Sequence, residues 1–216
     1  MLKSHRQLRL IALPIALAGI SACAGGAYTG PVEVTRFVAD QPAQLGQGTI
    51  ALRFSEDLKN EAARDAFRAA VGNELASLGY TIVGDDAPAG QRALVETQRS
   101  AVQEPQRRNS PVSVGVGGRT GSFGSGLGLG VGINLGGGSS GPRVTSRLSV
   151  RIEQVAPDGS TKSLWEGRAQ LPTSINSPYA PVEINAQTLA AALFKDFPGG
   201  NGETVTIQVE ELNNQP

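Results

Sequence analysis

The stretch 144–152 constrains the fold of this chain more than any other part of its sequence. Its residues alternate strictly between two sides, and four of the five on one side are aliphatic: Val144, Ser146, Leu148, Val150 and Ile152. The residues between them are polar or charged: Thr145, Arg147, Ser149 and Arg151. A period of two is typical of a β-strand, and one polar side indicates that one face of its sheet is in water. That arrangement favours an antiparallel sheet.

A hairpin is predicted directly after this strand. Pro157-Asp158-Gly159-Ser160 is a turn sequence, because proline and glycine supply the backbone angles that tight turns need. The next strand is predicted over 164–171, with a largely apolar side made of Trp165, Gly167, Ala169 and Leu171. Residues 172–181 are predicted to be a loop.

The same two criteria, alternation and helical spacing, predict the remaining elements. Further strands are predicted at 32–37, 49–54, 80–83, 93–100 and 203–211. Apolar spacings of three and four predict a helix over about 58–78, with Gly79 as its C′ cap. A second helix is predicted from 184 or 185 to 197, with an apolar stripe of Ala186, Leu189, Leu193 and Phe197. The fold class is therefore α+β, an antiparallel or mixed sheet with two helices on one face, in one domain over 31–216.

A glycine-rich segment at 112–141 is predicted to extend from this domain as a hairpin. Its aliphatic residues alternate with glycine or other small residues: Val112, Val114, Val116, Leu127, Leu129, Val131, Ile133 and Leu135. Phe123 lies in the predicted tip. Glycine weakens a strand, so its repeated use usually marks a close approach to the backbone. Three interpretations stay open: the aliphatic face packs on the domain's own core, the flat face stacks on another subunit or partner, or the aliphatic face meets lipid.

The first 22 residues have the parts of a secretory signal. Lys3, Arg6 and Arg9 form a basic start, an apolar run follows from 10 to 20, and small residues precede Cys23. The run is too short to span a bilayer, and Pro14 interrupts it. Residues 23–30 are small and turn-prone, which predicts a flexible tether. The alternative, a buried core helix, does not explain the basic start.

The sequence Ile20-Ser21-Ala22-Cys23 resembles the lipobox of bacterial lipoproteins. That resemblance implies a diacylglycerol group on the thiol of Cys23, cleavage before it, and an N-acyl chain on the new terminus. Several acyl chains together hold a protein to a bilayer essentially permanently. Ala24 in place of an aspartate implies sorting to the periplasmic face of the outer membrane in a Gram-negative cell.

Composition narrows the chemistry that the mature chain can perform. The whole chain has 19 basic and 19 acidic side chains, and its formal charge becomes −3 without Lys3, Arg6 and Arg9, which argues against a nucleic-acid partner. His5, the one histidine, lies in the signal, and Cys23 is the one cysteine. Ser-His-Asp catalysis, Cys-His catalysis and the common zinc ligand sets are therefore excluded, and no cofactor is expected. Asp85 and Asp86 are a weak metal candidate.

Several longer segments resemble an uncharacterised family of envelope lipoproteins from alphaproteobacteria and related Gram-negative bacteria. The matching segments are VTRF at 34–37, LGYT at 78–81, PVSVGVG at 111–117, LWEGRA at 164–169 and ALFKDFPG at 192–199. The family has no established activity, so the resemblance implies a location and an architecture only.

These observations predict a non-catalytic binding, scaffold or accessory protein of the cell envelope. Its expected partners are the membrane, through the lipid anchor, and envelope proteins or further copies of itself. The alternatives are a subunit that self-assembles or contacts the membrane through the glycine-rich hairpin, a lipid-transport accessory protein, and a hydrolase that uses carboxylates without histidine.

Overall fold

A computed structural model describes residues 27–39, 44–85, 87–102 and 143–212. These residues form one seven-stranded sheet in the order β3-β2-β4-β5-β6-β1-β7, together with three helices. The elements are β1 (Val32–Val38), β2 (Thr49–Phe54), α1 (Glu61–Ser77), β3 (Thr81–Val83), β4 (Gln91–Val102), β5 (Arg143–Val155), β6 (Thr161–Ser174), α2 (Val182–Phe194), β7 (Thr204–Ile207) and α3 (Val209–Leu212). The predicted α+β class is confirmed.

The sheet is mixed because α1 carries the chain from β2 to a neighbouring strand in the same direction. β2 is parallel to both β3 and β4, and the other neighbours are antiparallel. A helix between two strands produces this parallel pairing, whereas a hairpin produces an antiparallel one. β1 and β2 follow each other in the chain but do not pair, because β1 lies between β6 and β7.

Helix α1 ends at the predicted glycine but begins at Glu61 rather than at about 58. The Asn60 side chain accepts a hydrogen bond from the Ala63 amide at 3.0 Å, which caps the N-terminus. At the other end the amides of Gly79 and Tyr80 donate to the carbonyls of Ala76 and Leu75. Gly79 has a φ of 105°, so this is a Schellman motif with glycine at C′, as predicted.

The core lies between the sheet and the two long helices. Alternate strand residues such as Leu148, Val150 and Ile152 are fully buried, and the predicted apolar side of β6, including Trp165, is buried too. Trp165 stacks on Phe194 with ring centroids 5.5 Å apart, and Phe197 packs at 5.2 Å from the same ring. The opposite face of the sheet carries mainly polar side chains, so it has the one wet face that the alternation predicted.

Two predicted elements at the C-terminal side differ from the structure. Helix α2 ends at Phe194 rather than at 197. Pro198 disfavours a helical conformation at Phe197, and the buried Arg36 side chain donates hydrogen bonds to the carbonyls of Ala192 and Leu193 near the end of the helix. The predicted strand 203–211 ends at Ile207 and continues as α3. There the Glu211 carboxylate accepts from the Gln208 amide, which is half of a capping box.

The predicted loop 172–181 is shorter than expected, because β6 continues to Ser174.

The three strands in the middle of the sheet are long: β4, β5 and β6 have 12, 13 and 14 residues. The β4–β5 ladder pairs every residue from Gln91 to Val102, which corresponds to about 37 Å of strand.

Candidate functional site

The site residues that the sequence predicts lie outside the described residues. These are the lipidation residue Cys23 and the hairpin residues Val112, Val114, Val116, Phe123, Leu127, Leu129, Val131, Ile133 and Leu135. Asp86, of the weak metal candidate, also lies outside them. The structure does place the described residues to which the tether and the glycine-rich segment are joined.

Those attachment points lie in one row at one end of the sheet. Thr29 forms a β-bridge with Thr173, Thr173 pairs with Val144, and Val144 pairs with Ala101. Neighbouring strands are about 4.8 Å apart, so Thr29 and Ala101 are separated by about 14 Å across the sheet. We call residues 28–30, 99–102, 143–145 and 173–184 the tether end. Cys23 precedes this end by a few residues, and the segment 103–142 begins and ends there.

The first residues of the tether end are hydrogen-bonded into the domain. The Tyr28 amide donates to Ser174 Oγ at 2.8 Å, and the Ser174 amide donates back to the Tyr28 carbonyl at 2.8 Å. The Gly30 amide donates to the Pro172 carbonyl, and the hydroxyls of Thr29 and Ser177 are 2.6 Å apart. Tyr28, Thr29 and Gly30, which belong to the predicted tether, are therefore hydrogen-bonded to β6 and to the loop that follows it.

The loop that follows β6 is fixed by several side chains. Asn185 Nδ2 donates to the Tyr179 carbonyl at 3.1 Å, and Arg99 Nη1 donates to the Ala180 carbonyl at 3.1 Å. The Arg143 guanidinium lies 4.6 Å from the centre of the Tyr28 ring, which is a cation–π contact. The contacts of Arg99 with Ala180 and of Arg143 with Tyr28 could not be predicted, because each joins residues that are distant in the chain.

The wet face of the sheet is covered by charged and amide side chains that pair across strands. Glu166 accepts from Arg151 at 3.3 Å and also from Arg168, and Arg92 donates to Glu153 at 2.7 Å. Arg147 spans three strands by donating to Gln98 and Gln170, and Gln170 donates to Glu33. These charges neutralise one another locally, so the face is a polar surface without a strong field of one sign.

A surface cleft lies at the opposite end of the long strands. It has a volume of about 410 Å³ and is lined mainly by small residues and by Arg53 and Arg92. Arg92 is already paired with Glu153. The cleft walls come from β2, from the loop before β4 and the first residues of β4, and from the β5–β6 turn. Arg53 pairs with Leu94, and Gln91 begins β4, so the cleft lies about 24–34 Å along the strands from Ala101.

Several titratable side chains in the described part of the chain have pKa values that are shifted by their surroundings. Arg68 donates two hydrogen bonds to the Asp85 carboxylate, at 2.7 and 3.0 Å, and they hold the pKa of Asp85 below its usual value. Burial raises the pKa of Glu74 and of Tyr80. Across residues 27–39, 44–85, 87–102 and 143–212, no three His, Cys, Asp or Glu side chains are placed to hold a metal ion. Among the helices described, none is long and apolar enough to cross a bilayer.

Comparison with known proteins gives few similarities. No family model matches the chain. It is 27% identical over 216 residues to an uncharacterised protein of Zymomonas mobilis, with 83% of this chain and 81% of that protein covered. None of these findings assigns an activity.

Two solved structures match in part. A PDZ domain protein from Parabacteroides distasonis is 13% identical with a TM-score of 0.43, covering 83% of this chain and 38% of that one. The chain thus spans less than half the length of that protein. A PelC variant dodecamer from Paraburkholderia phytofirmans is 9% identical with a TM-score of 0.37, covering 74% of this chain and 92% of that one.

Proposed function

We propose that this protein is a lipoprotein of the cell envelope, acylated at Cys23 on the periplasmic face of the outer membrane, and that it acts by binding. The observation that carries the proposal is the lipobox-like sequence at 20–23, placed after a basic and apolar leader. Acylation at that sulfur would make Cys23 an anchor. The role of the domain would then be to hold a surface close to the membrane.

The short distance between Cys23 and the sheet supports an anchoring role. Tyr28 follows Cys23 by five positions and, within the part of the chain that the structure describes, is the first residue with a hydrogen bond to β6. An extended chain of that length spans at most about 18 Å. A lipid anchor at Cys23 would therefore keep the tether end next to the headgroups.

The wet face supports a binding role for the domain. Its long strands present side chains of both charges and several amides over about 37 Å, which is an extended surface for polar contacts with another envelope protein. Two carboxylates on this face are paired with arginines, Glu153 with Arg92 and Glu166 with Arg151, whereas Glu33 accepts a hydrogen bond from Gln170.

The anchor is tested by expressing the full chain in a Gram-negative host and measuring the intact mass of the extracted protein. The wild type should lose residues 1–22 and gain a diacylglycerol and an N-acyl chain. Cys23→Ser should gain no lipid and should leave the membrane fraction. A wild-type protein with a free thiol and an attached leader would refute the proposal.

Sorting is tested separately at the next residue. The Ala24→Asp variant should be acylated like the wild type but should move to the inner-membrane fraction, whereas Ala24→Ser is the matched control and should stay in the outer membrane. If both variants are distributed alike, the assignment to the outer membrane is wrong although the anchor is intact.

A second candidate function is self-assembly or membrane contact through the glycine-rich hairpin. The register favours it, because the described residues on either side of that segment, Val102 and Arg143, pair with each other in the tether end. Deleting residues 115–138 and measuring the size of the solubilised protein tests assembly, and an unchanged monomer would end the idea. Crosslinking in cells from Ser122 or Phe123 would identify a partner protein.

A further inference from the structure

Exposed apolar side chains mark the tether end of the domain. Ile175 is 59% exposed and Ile184 is 42% exposed, the first in the loop after β6 and the second in the first turn of α2. A single exposed aliphatic residue is common on protein surfaces and needs no explanation. Here two of them share the end of the sheet from which the chain runs back to Cys23.

The loop that carries Ile175 is held in place by the domain. The Ser177 amide donates to the Ser174 carbonyl and the Ala180 amide to the Ser177 carbonyl, at 3.1 and 3.0 Å. Thr29, Arg99 and Asn185 hold the same loop from three other elements. An apolar side chain on a fixed loop loses little conformational entropy when it enters another apolar phase.

The polar residues of this end suit a bilayer interface. The Tyr28 ring and the Arg143 guanidinium lie against each other at 4.6 Å, and tyrosine and arginine are both favoured where an apolar phase meets water. The charged side chains of the tether end are Arg99, Arg143 and Glu183, so the positive charges exceed the negative one. The described residues of this end therefore carry no net negative charge that would repel anionic phospholipids.

We propose that the tether end is a membrane-contact surface, in which Ile175 and Ile184 enter the headgroup region of the bilayer that holds the acyl chains of Cys23. This inference rests on the proposed function, because the lipid anchor brings the surface to the membrane. The sheet strands then run away from the bilayer, and the cleft at the other end of the strands faces the periplasm about 24–34 Å from Ala101.

The test measures the depth of spin labels on the acylated full-length protein in vesicles of phosphatidylethanolamine and phosphatidylglycerol. Cys23 is the one cysteine in the sequence, so after its acylation an introduced thiol is the single labelling site. The test variants are Ile175→Cys and Ile184→Cys. The matched control is Phe37→Cys, because Phe37 is 44% exposed on the wet face, about 24 Å along the strands from Ala101.

The labels at 175 and 184 should lie about 5–10 Å inside the headgroup boundary, and the label at 37 should remain in water. If all three labels stay in water, the domain stands away from the bilayer and the contact surface is wrong. If the label at 37 is the buried one, the domain lies on its wet face and the contact surface is also wrong. The intact mass of each sample separates these results from failure of the anchor, since protein without acyl chains would refute the proposed function and the contact surface together.

Discussion

The buried Arg36 side chain offers the sharpest test of how this fold is held together. The side chain is 5% exposed and donates from Nε to the Leu193 carbonyl at 3.0 Å. Its Nη2 donates to the carbonyls of Ala192 and Lys195 at 3.0 and 2.7 Å. These carbonyls end α2 and lack partners within the helix, and a cation is favourable at this end of the helix dipole.

The expected loss follows from these three contacts. A hydrogen bond to a charged group contributes about 1.5–3 kcal/mol, but burying the guanidinium opposes part of that gain. Burial lowers the pKa of Arg36 in spite of Asp196 and Glu203, which shows that the desolvation is substantial. We expect Arg36→Met to lower the free energy of unfolding by about 3–5 kcal/mol, because it leaves the buried carbonyls unpaired. Arg36→Lys keeps the charge but not the planar donors, so it should lose about 1.5–3 kcal/mol.

The assay is urea unfolding of the soluble mature chain that carries Cys23→Ser, followed by tryptophan fluorescence. Trp165 reports on the same region, because its Nε1 donates to the Pro198 carbonyl at 2.9 Å. Arg147→Met is the matched control, since Arg147 lies on the wet face and should lose about 0.5 kcal/mol or less. A loss below about 1 kcal/mol for Arg36→Met, with an unchanged m-value, would refute the reasoning.

Three further substitutions test close packing, helix propensity and an ion pair. Gly167→Ala should lower the free energy of unfolding by about 2–3 kcal/mol, because the added Cβ would lie 2.7 Å from Trp165 Cζ2. A variant as stable as the wild type would contradict that contact. A Cβ added at Gly72 in α1 would meet no atom within 4 Å, so Gly72→Ala should raise the free energy of unfolding by about 0.5–1 kcal/mol. A lower free energy of unfolding in urea would count against the helix geometry. Asp85→Asn should lose about 0.5–1 kcal/mol at pH 7, because the pair with Arg68 is partly exposed. Since the pKa of Asp85 is lowered in the folded state, the contribution of its carboxylate to stability is full above about pH 4 and disappears as pH falls through the folded pKa. A difference in the free energy of unfolding between wild type and Asp85→Asn that persists at low pH would contradict this assignment.

Local sequence predicted the helices and most strands well, for a clear physical reason. The spacing of Phe67, Val71 and Leu75 places all three on one face of α1, and the structure buries all three. The Schellman motif at Gly79 depends on residues within one turn, so it could be predicted without the rest of the chain. Each of these features is decided by neighbours in sequence.

The misses occur where the deciding partner is distant in sequence. Tyr28 and Thr29 looked like tether residues, and they are ordered by Ser174 and Ser177. Arg36 follows a strand alternation that predicts only that it shares a face with Val34, and the structure uses it to hold the end of α2. The end of α2 likewise involves the distant Arg36, whereas the change from strand to helix after Ile207 goes with a local hydrogen bond from the Gln208 amide to Glu211.

The candidate site divides in the same way. Cys23 and the glycine-rich hairpin were predicted from the sequence and stay predictions, because they lie outside the described residues. The tether end could not be predicted, since Ile175 and Ile184 belong to segments with no local signal that joins them to Thr29. The β-bridge between Thr29 and Thr173 is what places them at the same end of the sheet.

The sequence by itself determined the class of the fold, since period-two alternation and helical spacing require surfaces that are buried on one side. It also determined which residues belong to the core of each element. Only the tertiary structure decided the order of the strands, the parallel pairing of β2, and the end of the sheet at which tether and glycine-rich segment meet the domain. Strand order depends on which distant edges bury the most surface together, and the periodicity of one segment contains no information about its neighbour.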